Sequence, residues 1–225
     1  MPHDLRVRGL LLATLLGVGV TALGNGAGPG PQAGNAPSAS VAFTVVPGER
    51  FGPIRETTRR RELGALLQTT ALEDMPIPIG EGFCTDGTRA FGGTANQIDI
   101  AWKTPELTGV AFVRASTPGG QWATMGGVRV GTLLTELERV AGHVLEFSGF
   151  GWDYGGGLSW TEGDRSIGLR LDADFADARL QPSEQDGIFG DRVVRSDHPT
   201  IRRLHVRVDE MSQSWGSHGR EFDCR

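Results

Sequence analysis

Hydrophobic and polar residues recur along the chain with two different periods. In residues 63–67 and 133–141 the apolar positions return at spacings of three and four, which predicts two amphipathic helices. In residues 98–102 and 167–172 apolar and polar positions alternate, which predicts half-buried strands. We therefore expect each helix to lay one apolar stripe on a sheet.

The helical pattern belongs to a motif that occurs twice. The second copy follows the first by 74 residues, so that Thr58 aligns with Thr132 and Leu63 with Leu137. Each copy is typical of a short strand, a tight turn and a helix that begins at a threonine N-cap, which predicts helices over residues 58–67 and 132–141. Because strands follow each helix, we interpret the motif as one supersecondary unit in two copies.

This interpretation gives an α+β, β-rich fold of two tandem units, each a helix on an antiparallel sheet. The first unit would span residues 41–118, and the second, with C-terminal strands, residues 119–225. Glycine-bounded β-branched and alternating stretches predict the other strands. These lie at residues 41–46, 109–114, 144–147, 191–195 and 204–208, with a turn in residues 80–91 and an irregular tail after Met211.

The N-terminus is typical of a secretory signal. Arg6 and Arg8 precede an apolar run, and small residues follow near Gly24, so we expect a signal peptide over residues 1–24. An uncleaved anchor is the alternative. Residues 25–40 are rich in Gly, Ala, Pro and Ser and predict a disordered linker. The protein is accordingly expected to be secreted or periplasmic, with no stable membrane span after cleavage.

The chain contains two cysteines, Cys84 and Cys224. In an oxidising compartment such a pair predicts a disulfide; two free thiols are the alternative. The net charge is −5 and no long basic block occurs, which argues against nucleic acid as a partner.

The most site-like stretch is aromatic and rich in glycine. Trp152, Asp153 and Tyr154 are flanked by Phe150 and Trp160. Aromatic rings with a polar group provide a large contact area, and glycine lets a partner approach the backbone, which suits a protein or saccharide contact. The alternative is that these rings cap the core of the sheet and that Asp153 serves a turn.

Catalytic and cofactor motifs are missing from the sequence. It has no nucleophile elbow, no His-Glu-x-x-His, no paired-cysteine metal motif and no phosphate-binding or dinucleotide fingerprint, so we predict no catalytic residue, metal or cofactor. One enzymatic alternative stays open. Glu81, Asp153 and Glu162 could supply an acid and a base for hydrolysis of cell-envelope carbohydrate.

Two charged stretches have a functional and a simpler interpretation. Asp172, Asp174 and Asp177 could hold Ca²⁺, although a solvated loop explains them as well. Three arginines, Arg59 to Arg61, begin the first predicted helix. They could face an anionic partner or could be a solvated run paired with nearby glutamates.

Residues 128–142, in which a strand ends in Gly131-Thr132 and a helix with Glu136-Leu137 closes on Gly142, resemble the half-unit of β-lactamase-inhibitor-protein-like domains. Small outer-membrane assembly lipoproteins of the SmpA/OmlA type share that half-unit. The resemblance implies tandem units, each a helix packed on an antiparallel sheet, and a role in binding another protein.

We therefore expect a non-catalytic module that binds another protein, as an inhibitor or an envelope-assembly component. The carbohydrate hydrolase is one alternative. A structural envelope protein, with neither a cleft nor an exposed aromatic patch, is the other.

Overall fold

The computed structural model describes residues 42–224. The expected signal peptide and linker, residues 1–24 and 25–40, lie outside this part of the chain. Within it, no helix is long and apolar enough to cross a membrane.

The described residues form short helices and many strands, connected mostly by tight turns. The strands are β1 (Thr44–Val46), β2 (Arg50–Phe51), β3 (Leu72–Gly80), β4 (Phe83–Ala90), β5 (Ile98–Trp102), β6 (Val110–Ala115), β7 (Ala123–Thr124), β8 (Glu146–Ser148), β9 (Gly157–Glu162), β10 (Arg165–Asp172), β11 (Val193–Arg195), β12 (Arg207–Ser214) and β13 (Glu221–Asp223). The α-helices are α1 (Leu63–Leu67), α2 (Leu134–Ala141), α3 (Phe175–Ala178) and α4 (Pro182–Ile188), and 3-10 turns occur at Arg60–Glu62 and Ile201–Arg203. The fold is therefore β-rich with a few short helices, as expected.

Eight strands make one antiparallel sheet. Its order is β3, β4, β5, β6, β12, β10 and β9. Strand β3 pairs with the whole of one edge of β4, so β5 and the short β13 share the other edge, each along a different part of it. Two small sheets, β2-β1-β7 and β11-β8, complete the structure. Since β6 is hydrogen-bonded to β12, strands from both halves of the chain belong to the same sheet.

The two faces of the large sheet differ. The predicted alternation in β5 is present: Ile98, Ile100 and Trp102 share one face and are fully buried. On β6 the last two pair with the apolar Val113 and Val110, and α1 and α2 add leucines to the same core. Burial of this continuous apolar surface is the main source of the fold's stability. The opposite face is charged and is described with the site below.

Both predicted helices form, but the prediction that Thr58 and Thr132 are their N-caps is wrong. Leu133, one residue after Thr132, is the N-cap of α2. Arg59, one residue after Thr58, caps the 3-10 turn that leads into α1, whose own N-cap is Glu62. Each threonine is buried, and its hydroxyl accepts a hydrogen bond at 3.0 Å from the backbone N–H three residues earlier. The side chain thus closes the turn before the helix and is not available to the helical amides.

The two helical segments also begin and end alike. Gln68 and Gly142, which are 74 residues apart, both adopt the left-handed conformation, and each donates its N–H to the carbonyl four residues earlier. The first helical amide in each copy bonds to the segment leading into a sheet strand. These bonds run from Arg60 N to Leu107 O and from Leu134 N to Val206 O.

Three regions differ from the sequence expectation. Residues 80–91 hold only a two-residue turn, and most of them form β4. The tail after Met211 is not irregular, because β12 continues to Ser214 and β13 follows. Strands β4 and β12 each bury a polar side chain that has a hydrogen-bond partner. Thr88 of β4 donates to Asp74, and Gln213 of β12 accepts from the N–H of Gly48. Helices α3 and α4 were not expected.

Cys84 and Cys224 form the expected disulfide. Cys84 lies in β4 next to Phe222 of β13, and Cys224 is the residue after β13. The bond closes a segment of 140 residues and holds the C-terminal strand on the sheet.

Candidate functional site

The predicted site lies on the loop between β8 and β9, residues 149–156, which we call the aromatic loop. The loop is held by bonds to its own and to neighbouring backbone. The indole N–H of Trp152 donates to the carbonyl of Gly149 at 2.8 Å, and the N–H of Gly155 donates to the carbonyl of Trp152. Gly156 bonds to Ser148 of β8 and to Leu171 of β10. The loop is therefore fixed on both sides.

Glycines in this loop serve the packing of the chain itself. Gly156 has a φ of +74°, and a Cβ there would lie 2.0 Å from the carbonyl oxygen of Leu171. Gly151 has a φ of +84°, and a Cβ there would lie 2.7 Å from the ring of Phe189. The idea that glycine leaves room for a partner is therefore wrong at these two positions, where the chain itself fills the space.

Trp152, Asp153 and Tyr154 lie together on the outside of the loop. The side chains of Trp152 and Tyr154 are 39% and 62% exposed, and their rings meet edge to face with centroids 5.3 Å apart. Asp153 reaches the turn between β3 and β4, where its Oδ2 accepts a hydrogen bond from the N–H of Glu81 at 3.2 Å. The exposed aromatic pair therefore stands beside a contact between two loops.

Phe150 and Trp160, which the sequence groups with these residues, are core residues in the structure. Phe150 is 3% and Trp160 is 4% exposed. Phe150 packs against Phe147 and Phe175, and the indole N–H of Trp160 donates to Glu162 at 3.0 Å. They support the loop and its neighbouring strand, and unlike Trp152 and Tyr154 they are almost fully buried.

A cleft of about 520 Å³ opens beside Trp152. One side, which we call the aromatic wall, consists of Phe150, Trp152, Phe175 and Phe189. The ring centroid of Phe175 lies 4.9 Å from those of Phe150 and Phe189, so these three rings pack against one another. The other side, which we call the polar wall, consists of Arg170, Asp172 and Asp209.

The polar wall is the end of a row of charges that crosses the sheet. Signs alternate from strand to strand, and each side chain is within ion-pair distance of the next. The row is Arg89 of β4, Asp99 of β5, Arg114 of β6, Glu210 of β12 and Arg170 of β10, with separations of 2.8, 3.6, 3.6 and 3.6 Å. Opposite charges on neighbouring strands stabilise the pairing of a sheet.

Burial and charge act on this row in opposite directions. Burial raises the pKa of Glu210, although Arg114 and Arg170 act to lower it. Burial also acts to lower the pKa of Arg170, but the attraction of Glu210, Asp209 and Asp172 outweighs it and raises that pKa. The guanidinium of Arg170 donates to Asp209 at 2.9 Å. The arginine is therefore firmly cationic, and its charge is compensated by carboxylates.

The three carboxylates of the hydrolase alternative do not share one cleft. Glu81 and Asp153 are joined by the bond described above. Glu162 lines a different cleft, beside the C-terminal end of α2, where it accepts hydrogen bonds from Gly126 and Trp160. Glu162 is therefore not grouped with Glu81 and Asp153.

The two other charged stretches lie in different parts of the structure. Among the side chains that the structure describes, no group of three or more His, Cys, Asp or Glu could hold a metal ion. Asp172 lies at the end of β10 in the polar wall, and Asp174 precedes α3. In the arginine run, Arg60 pairs with Asp74 at 2.5 Å, while the backbone of Arg59 donates to Glu62.

Comparisons with protein-family models, with curated proteins and with solved structures find no match for this chain. The resemblance to β-lactamase-inhibitor-protein-like domains thus remains an expectation based on the sequence alone.

The sequence did not indicate the cleft. Its polar wall comes from two strands, and its aromatic wall includes Phe175 and Phe189, which belong to the unexpected helical region. One local signal was present. The alternation Gly168-Leu169-Arg170-Leu171-Asp172 places Arg170 and Asp172 on the face opposite the buried leucines.

Proposed function

We propose that this protein is a non-catalytic, secreted or periplasmic module that binds another protein through the aromatic loop, as an inhibitor or an envelope-assembly component. The observation that carries the proposal is the exposed edge-to-face pair of Trp152 and Tyr154. Large aromatic residues with a polar group dominate binding energies at protein interfaces. A structural envelope protein has less support, because such a protein is expected to have no exposed aromatic patch, whereas Trp152 and Tyr154 are exposed.

The loop is suited to binding because its backbone is already ordered. Hydrogen bonds to β8 and β10, together with the bond from Glu81 to Asp153, hold it in place. A fixed loop loses little conformational freedom on binding, which preserves affinity. The Cys84–Cys224 disulfide agrees with an oxidising compartment.

The proposal includes the tandem organisation into residues 41–118 and 119–225. Its support is the set of equivalent features 74 residues apart: the buried threonines, the bonds that begin the helices and the left-handed residues that end them. In this view the two units have merged their strands into one sheet, with β6 next to β12.

The test is a pull-down from envelope extract with the full chain, followed by reconstitution with the purified partner. Variants are Trp152→Ala combined with Tyr154→Ala, and Met125→Ala as a control, since Met125 is 76% exposed but lies outside the loop. We expect the double variant to weaken binding about 30-fold or more and the control to bind like the wild type. Equal binding by the double variant, or no specific partner for the wild type, would refute the proposal.

A further inference from the structure

The cleft beside Trp152 combines two surfaces, and it shares only Trp152 with the exposed aromatic pair of the loop. The aromatic wall is apolar, and the polar wall adds charged side chains from β10 and β12 to the lining of the same cleft. Tyr154 does not line the cleft. The cleft and the outer face of the loop can therefore be tested separately.

The volume suits a small ligand. At about 520 Å³ the cleft falls within the range of typical ligand sites, which are lined mostly by apolar and aromatic groups with a few placed polar ones. The side chains of Arg170 and Asp209 are 43% and 40% exposed, so their polar atoms can reach a ligand. Asp172 is also exposed.

The polar wall presents both signs of charge, one guanidinium and two carboxylates. Arg170 is 2.9 Å from Asp209 and 3.6 Å from Glu210, so a bound anion would meet carboxylates and a bound cation would meet the guanidinium. The guanidinium of Arg170 nevertheless keeps free N–H donors, and the carboxylates of Asp172 and Asp209 keep free lone pairs. A hydroxyl group can donate one hydrogen bond and accept another, so a ligand with many hydroxyls can bond to the donors and to the acceptors of the polar wall.

The aromatic wall adds a second requirement, which is a flat apolar face on the same ligand. A pyranose ring has C–H groups on its faces and hydroxyls around its rim. It can lie against Trp152 and Phe175 while its rim reaches Arg170, Asp172 and Asp209. We propose that this cleft binds a short, neutral oligosaccharide, in addition to the protein partner proposed for the aromatic loop.

The test is NMR titration of the ¹⁵N-labelled protein with maltotetraose, cellotetraose and chitotetraose. Sorbitol serves as a polyol without a ring face, and N-acetyl-arginine amide serves as a cationic probe. We expect at least one oligosaccharide to shift the indole N–H signal of Trp152 and the amides of the aromatic loop, with a Kd of about 1 mM. Sorbitol and the arginine amide should cause no saturable shift.

Variants separate this site from the protein-binding surface. Asp172→Asn, Asp209→Asn and Trp152→Ala should each weaken oligosaccharide binding about tenfold. Tyr154→Ala and Asp164→Asn should leave it unchanged, since Asp164 lies in the turn before β10, away from the cleft. Asp172 has an exposed side chain, so its variant is expected to fold like the wild type.

Three results would overturn the inference: no saturable shift with any of the three oligosaccharides, shifts that persist in both aspartate variants, or tighter binding of the arginine amide than of any sugar. The last result would assign the cleft to a cationic side chain. None of these outcomes decides whether the aromatic loop binds a protein, which the pull-down tests separately.

Discussion

Arg114 Nε lies 3.6 Å from Glu210 Oε2, and this ion pair joins β6 to β12 where the two halves of the chain meet in the sheet. Only 16% of the Glu210 side chain is exposed, and it also lies 3.6 Å from Arg170. A buried carboxylate between two cations can be favourable or costly, because its desolvation opposes the attraction. The raised pKa indicates that desolvation prevails.

We predict that Glu210→Gln is more stable than the wild type at pH 7 and that the difference disappears at low pH. The folded state holds this proton more tightly than the unfolded state does. Stability from this group is therefore full below the unfolded pKa and decreases as the pH rises through the folded pKa. Glutamine imitates the protonated form at every pH. Urea unfolding between pH 4 and pH 8 measures the difference.

The matched control for this prediction is Glu106→Gln, because Glu106 is exposed and lies outside the row of charges. Its effect on the free energy of unfolding should be small, within about 0.5 kcal/mol. A Glu210→Gln variant that is less stable than the wild type at pH 7 would show that the attraction of Arg114 and Arg170 outweighs burial.

Gly156→Ala should disrupt the aromatic loop. The new Cβ would lie 2.0 Å from the backbone oxygen of Leu171, which cannot move without breaking β10, and the φ of +74° is strained for alanine. We expect a loss of more than about 3 kcal/mol in the free energy of unfolding. Gly163→Ala is the control: its φ is +69°, but no atom lies within 4 Å of its Cβ.

The control should lose about 1 kcal/mol, the usual cost of a left-handed alanine. The difference between the two variants then reports the collision alone. Equal losses in chemical unfolding would show that the loop moves away from β10 at little cost, and the aromatic pair would then not be fixed before binding.

Removal of the disulfide by Cys84→Ser with Cys224→Ser should cost about 4–5 kcal/mol. The bond closes a segment of 140 residues, and cross-linking so long a segment strongly restricts the unfolded chain. Denaturant unfolding of the oxidised and the reduced wild type should give a similar difference. A loss below about 1 kcal/mol would mean that β13 contributes little to the native fold or that the reduced unfolded chain stays compact.

The sequence predicts those elements whose burial follows from their own hydrophobic pattern. The alternation of Ile98, Ile100 and Trp102 identified β5, and the leucine spacing identified α1 and α2. The glycines of residues 80–91 predict a turn, yet most of these residues form β4, in which Thr85 and Thr88 are fully buried. Their hydroxyls bond to the carbonyl of Arg220 and to Asp74, partners that no local pattern reveals.

The same reason explains why the cleft and the row of charges were missed. Arg114 and Glu210 are nearly a hundred residues apart, and only the pairing of β6 with β12 brings them together. Helix α4, in contrast, had a readable signal. Pro182 stands at its first turn, and Glu184 accepts a hydrogen bond from the N–H of Gln181, an arrangement that favours a helix start.

Thr58→Val and Thr132→Val test whether the two copies are equivalent. Both hydroxyls are buried, at 5% and 8% exposure, and each accepts one backbone N–H bond at 3.0 Å. Valine keeps the shape and removes the acceptor, so each variant should lose about 1 kcal/mol in urea unfolding, and the two losses should agree within about 0.5 kcal/mol. Thr135→Val, on the exposed side of α2, should be nearly neutral. A large loss of stability at one position and none at the other would mean that the two similar turns contribute differently to the free energy of unfolding. It would remove the energetic support for a tandem repeat.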